Sequence, residues 1–128
     1  MLTEKDYCDK DTCVALKEMG YKGMSRYYYI QQDHKLHYDT YNKFYTVRTA
    51  DAMGYVLAIH LYEAQKFLRE EKNIMIEIPT SFMDDGVWKF NFRIQTPEFY
   101  DRAIGEWDSY EEALLEGIKE AVKILKEK

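Results

Sequence analysis

Three stretches of the chain hold residue types that could do chemistry. The first is His34-Lys35-Leu36-His37, with Asp33 and Asp39 beside it. Imidazole and carboxylate groups are what zinc and related metals take as ligands. They must converge on one point, and strand positions three apart face opposite ways, so His34 and His37 meet only if a turn bends one back. Convergence there would support a small metal-dependent hydrolase. Polar turn and strand residues are the plainer reading, and no metal ligand, cofactor or catalytic residue is assigned. The second stretch holds Cys8 and Cys13, which fit a disulfide, half of a metal site, or two ordinary residues. Two thiols alone cannot close a tetrahedral zinc site. Cys13 falls on a predicted helix face, where a small apolar residue is the favoured reading. The third is Lys22 to Tyr29, KGMSRYYY. It has the basic-Gly-aromatic pattern of sheet-based RNA binders, in which strand aromatics stack on bases. Met24 and Arg26 stand at two positions where aromatics would stack, which weakens the match.

Acidic pairs occur at Glu70-Glu71, Asp84-Asp85 and Glu111-Glu112. General acid–base work needs a carboxyl in a pocket that raises its pKa. The first pair reads instead as the solvated end of a helix and the second as a turn. No P-loop, nucleophile elbow or dinucleotide fingerprint is present. A net charge of −5, from 23 acidic and 18 basic residues, argues against a broad phosphate-binding surface. The N-terminal MLTEKDYCDK lacks the apolar core of a signal peptide, and no apolar run reaches membrane-spanning length. A cytoplasmic protein without membrane contact is the expectation.

The elements that must position these residues follow from periodicity. Leu61 to Lys72 puts Leu61, Ala64, Phe67 and Leu68 on one helical stripe, and Ile74, Ile76 and Ile78 then alternate as a strand. Asp9 to Met19 reads as a helix capped by Asp9 and stopped by Gly20. Arg26 to Gln32 and Lys35 to Asn42 read as a hairpin turning at Asp33-His34, with tyrosines paired across it. Lys43 to His60 stays open between sheet extension and a loop. Asp84-Asp85-Gly86 is a turn signal. Val87 to Gln95 reads as one strand, with Trp88, Phe90, Phe92 and Ile94 on its dry face and Lys89, Asn91, Arg93 and Gln95 on its wet face. Ser109 opens the last helix with Glu112 three residues on, a capping box. The expected fold is α+β in one domain spanning residues 1–128. It has about four antiparallel strands in two hairpins, with helices packed on one face, in the order α-ββ-α-ββ-α.

Several segments resemble short, uncharacterised proteins abundant in Bacteroides-type gut bacteria and their phages and mobile elements. They are LTEKDYC at Leu2 to Cys8, LKEMGY at Leu16 to Tyr21, DHKLHY at Asp33 to Tyr38, EAQKFLREEKNIMIEI at Glu63 to Ile78 and SYEEALLEGIKEAVKIL at Ser109 to Leu125. Lys43 to His60 departs from the pattern. A Thr commonly precedes the middle helix in the relatives, and His60 stands there here, so the usual cap is missing. The resemblance implies a mobile-element accessory protein and brings no activity, cofactor or catalytic residue with it.

Twelve tyrosines supply flat apolar bodies with polar tips, suited to half-buried sheet faces and to interfaces. On one sheet, one register of the tyrosines Tyr27 to Tyr29, with Tyr38 or Tyr41, would share the wet face with Met75, Glu77, Lys89, Asn91 and Arg93. Tyr27, Tyr28, Tyr29, Tyr38, Lys89 and Arg93 are the residues assigned to binding on this reading. A solvated face with scattered aromatics is the plainer alternative. The expected function is a non-catalytic protein-interaction module whose partner is a protein, a second copy of the chain included. Single-stranded nucleic-acid binding through the tyrosine strand and metal-dependent hydrolysis are the two alternatives.

Overall fold

The computed structural model describes residues 4–38, 43–98, 100–102 (as backbone) and 105–127. The fold is α+β, and the chain divides into two compact units, residues 1–64 and 65–128.

In the first unit a 3-10 turn at Glu4–Asp6 leads to helix α1, Lys10–Glu18. The Asp9 carboxylate accepts the Thr12 N–H at 3.0 Å and caps the helix. At the far end Gly20 sits at φ 104°. There the Gly20 N–H donates to the Lys17 carbonyl at 3.0 Å and the Tyr21 N–H to that of Leu16 at 3.1 Å. Only glycine takes this left-handed position without strain, and the two bonds satisfy carbonyls the helix leaves open.

Strands β1 (Met24–Ser25), β2 (Tyr27–Tyr29), β3 (His37–Tyr38) and β4 (Tyr45–Thr46) follow. Then come helix α2, Val47–Ala52, and strand β5, Val56–Leu57. β1 pairs with β4, and β2 lies between β3 and β5, all antiparallel. The expected tyrosine hairpin is present with Tyr27 opposite Tyr38 and Tyr28 opposite His37. Its strands stop short of Gln32 and begin after Lys35, because residues 30–36 form the connection; the expected strand positions 39–42 lie outside the described residues. The segment left open contains α2. The Thr46 hydroxyl accepts the Thr49 N–H at 3.1 Å and Thr49 Oγ1 accepts the Thr46 N–H at 2.8 Å, which makes a reciprocal capping box.

Helix α3, Leu61–Glu71, begins in the first unit and ends in the second. His60 replaces the missing threonine cap: its Nδ1 accepts the Tyr62 N–H at 3.1 Å, and its carbonyl accepts that of Ala64 at 2.9 Å. Asn73, at φ 57°, closes the helix, and the Ile74 N–H donates to the Leu68 carbonyl at 3.0 Å.

The second unit continues with β6 (Met75–Glu77), β7 (Thr80–Phe82), β8 (Trp88–Phe90), β9 (Arg93–Gln95), β10 (Tyr100–Arg102) and helix α4, Tyr110–Lys126. β9 is the centre of an antiparallel sheet between β6 and β10, while β7 and β8 form a separate two-stranded ribbon. Ser109 caps α4, its hydroxyl accepting the Glu112 N–H at 3.1 Å. Ala113, Leu114, Gly117, Ile118, Ala121 and Val122 form the buried face of α4.

The described residues therefore hold ten short strands in four small sheets, where one sheet of about four strands was expected. Two local breaks split the predicted strands of the second unit. Pro79 has no N–H for a ladder and separates β6 from β7. Asn91 separates β8 from β9, its side chain accepting the Phe92 N–H at 2.8 Å while its own N–H donates to the Pro79 carbonyl at 2.9 Å. The bend also undoes the predicted dry face. Phe92 and Ile94 are buried, but Trp88 is 53% exposed.

Candidate interaction surface

The β7–β8 ribbon is where the second unit puts apolar area in water. Its turn is locked by three bonds: Met83 N–H to the Val87 carbonyl (2.9 Å), Gly86 N–H to that of Met83 (3.0 Å), and Val87 N–H to the Asp85 carboxylate (3.1 Å). That register sets Phe82 opposite Trp88. Side chains alternate across a strand, so both rings stand on the face that also holds Thr80 and Phe90. The Phe82 and Trp88 rings meet edge to face with centroids 5.0 Å apart. Phe82 is 61% exposed and all of β7 is exposed. Among the described residues β7 pairs with β8 alone, so its outer edge carries backbone donors and acceptors without a strand. The base of the ribbon is anchored. Phe90 and Trp107 exchange backbone bonds of 3.0 and 2.8 Å, and the Lys89 ammonium pairs with Asp108, which raises its pKa.

The six residues assigned from sequence do not share a sheet. Tyr27, Tyr28, Tyr29 and Tyr38 belong to the β3-β2-β5 sheet of the first unit, Lys89 to the ribbon, and Arg93 to the β6-β9-β10 sheet. The expected common wet face is therefore replaced by three separate sheets: β2 takes β3 and β5 as its neighbours in the first unit, and the breaks at Pro79 and Asn91 part Lys89 from Arg93 in the second.

The tyrosine rings are turned toward one another. Tyr29 is buried and its hydroxyl donates to the Cys8 carbonyl at 2.6 Å; burial lifts its pKa well above the ordinary phenol value. Tyr28 stacks on Tyr55 with centroids 4.1 Å apart and on His37 at 5.8 Å, and Tyr45 meets it edge-on at 5.5 Å. Tyr27 packs against Tyr7 at 4.9 Å and Tyr38 at 6.1 Å. Rings used this way offer few free faces for base stacking. Tyr38, 57% exposed, is the most open of the four. Arg93 lies between Glu77 and Arg102 in the ladder, and its Nε is buried without a hydrogen-bond partner.

His34 and His37 part company. His34 is exposed, whereas His37 Nε2 lies 3.1 Å from the Asp33 carboxylate. The Lys35 N–H and His37 hold the Asp33 pKa below its ordinary value. Among the described residues no three His, Cys, Asp or Glu side chains converge as metal ligands. Glu70, Glu71, Asp84 and Asp85 are exposed. Two of the clefts among the described residues of the first unit carry charged side chains in their lining. One of about 500 Å³ is lined by Lys17, Lys22, Arg48 and Asp51, and Lys17 and Asp51 pair there at 3.0 Å. The other, of about 300 Å³, is lined by Tyr7, Tyr21, Arg26, Tyr27 and His60.

Comparison of the chain with protein-family models, curated proteins and solved structures gives no match. No helix among the described residues is long and apolar enough to cross a membrane. Sequence reasoning missed Phe82. The signal was there in Phe82 and Trp88 placed symmetrically about the Asp84-Asp85-Gly86 turn, which makes them cross-strand partners.

Proposed function

We propose that this chain is a non-catalytic protein-interaction module and, on the resemblance described above, an accessory protein of a mobile element or phage. The supporting observation is the Phe82–Trp88 pair, 61% and 53% exposed, on a ribbon whose β7 edge has no neighbouring strand among the described residues. An extended segment of a partner protein adds to that edge through backbone hydrogen bonds and lays an apolar side chain against Trp88. Tryptophan is foremost among the residues that anchor interfaces, and a rigid register presents it with little entropy to lose. A second copy of the chain, offering its own β7, is the self-associating form of the same contact.

The test is capture from nuclease-treated host lysate by the wild-type chain, by a Phe82→Ser/Trp88→Ser chain and by a Tyr38→Ser control. Loss of the partner from the double variant alone, with its melting curve retained, is the expected result. Undiminished recovery by the double variant would overturn the assignment of the ribbon. A partner that vanished with nuclease would move the function to nucleic acid.

A further inference from the structure

We propose that Cys8 and Cys13 form a redox-closable clasp at the entry to α1, an intramolecular disulfide made by thiol–disulfide exchange. Asp9 is the N-cap of α1. Cys8 is therefore the residue before the cap and Cys13 the fourth residue of the helix. These two positions meet wherever an apolar pair staples a chain to its first helical turn, and here both are thiols. Cys13 turns its thiol back toward Cys8, donating to the Cys8 carbonyl at 3.5 Å. Residue 59 holds both cysteines in place: the Cys8 N–H donates to its carbonyl at 2.8 Å, and its N–H donates to Cys13 Sγ at 3.3 Å. Both cysteines are free and sealed, at 0% and 1% exposure.

The neighbouring Cys13 thiol and burial keep Cys8 protonated in the closed fold, so exchange proceeds through opening of the short segment before α1. One cysteine thiolate then attacks a sulfur of a small-molecule disulfide, forming a mixed disulfide and releasing one thiolate. The other cysteine gives its proton to solvent, attacks the protein-side sulfur and expels the second thiolate. Two protein thiols are oxidised and one external disulfide is reduced to two thiols.

The full chain is equilibrated with graded ratios of oxidised to reduced glutathione, quenched in acid, and read by intact mass and non-reducing peptide mapping. The expected product has lost two hydrogens, joins the Cys8 and Cys13 peptides, and reverts in excess reduced thiol. The closed form melts about 5 °C higher than the reduced one, because a short loop is closed in the unfolded chain. A Cys13→Ala chain keeps the native circular dichroism and forms only the glutathione adduct. Two free thiols or mixed adducts alone across the whole series would overturn the proposal. So would a closed form that melts lower than the reduced one, since the bond would then be strained against the fold.

Discussion

Replacing Gly117 with alanine sets two calculable effects against each other. Gly117 is buried in the middle of α4, and a Cβ there would lie 2.9 Å from Ile76 Cγ2 and 3.3 Å from Phe92 Cβ. In an open helix the change would stabilise by about 1 kcal/mol, the helix-propensity gap between the two residues. Here the methyl must displace a branch attached directly to the Ile76 Cβ, on a side chain stiff at χ1. Ile76 is held in the ladder opposite Ile94 and is 5% exposed, so it has nowhere to retreat. Overpacking of this kind costs about 1–3 kcal/mol. The balance is a net loss of about 1 kcal/mol. In urea unfolding with an unchanged m, that is a midpoint lower by about 0.5 M. In an Ile76→Ala background the clash partner is gone, so the same substitution becomes neutral or stabilising. A midpoint that rose in the wild-type background would refute the close approach of α4 to β6.

Further outcomes follow from single contacts. Tyr29→Phe removes the hydroxyl that donates to the Cys8 carbonyl and lowers unfolding stability by about 1–3 kcal/mol, read by chemical denaturation. Burial pushes the Tyr7 and Tyr21 pKa values up from 10.0 to about 12. The folded chain thus keeps protons that the unfolded chain has released. The stability these groups contribute is complete below about pH 10 and is lost as pH climbs through about 12, so alkaline unfolding and late tyrosinate absorbance coincide. The Asp33 pKa is lowered by the Lys35 N–H and by His37. Its contribution therefore holds above the ordinary carboxylate pKa and fades as pH falls through the depressed value. Carboxyl chemical shifts followed against pH show that displaced midpoint, and His37→Ala moves it back up. Trp88→Ala leaves the melting curve within a few degrees of wild type, since the exposed ring forfeits about 0.5–1.5 kcal/mol with Phe82.

Helices α1 and α4 were legible because apolar stripes and cap residues agree on their limits, and α3 was legible from its apolar stripe alone. Asp9, Gly20 and Ser109 all act as their positions suggest. α2 was not legible: six residues are too few to show a period, and its signal is the Thr46–Thr49 pair. His60 as a cap was hidden because an imidazole is seldom read that way, and the bond depends on its ring orientation. The alternation from Trp88 to Ile94 predicted one continuous strand. That pattern records which side each residue would face if the backbone ran straight, and it is silent on the bend at Asn91. The single wet face expected for the binding residues is absent among the described residues. The expectation joined tyrosines, Lys89 and Arg93 on a single sheet, whereas the tyrosines pair within the first unit and the Asn91 break parts Lys89 from Arg93. What survived was the pairing of Tyr27 with Tyr38, a local feature set by one turn.

The central claim is that the β7 edge and the Phe82–Trp88 pair receive a protein partner. Amide hydrogen exchange of the chain, free and saturated with its captured partner, tests this most directly. The account predicts new protection at Thr80 to Phe82, lost with Trp88→Ala, and little change in β2 and β3. Unchanged exchange in β7, with protection arising at Tyr27 to Tyr38, would contradict it.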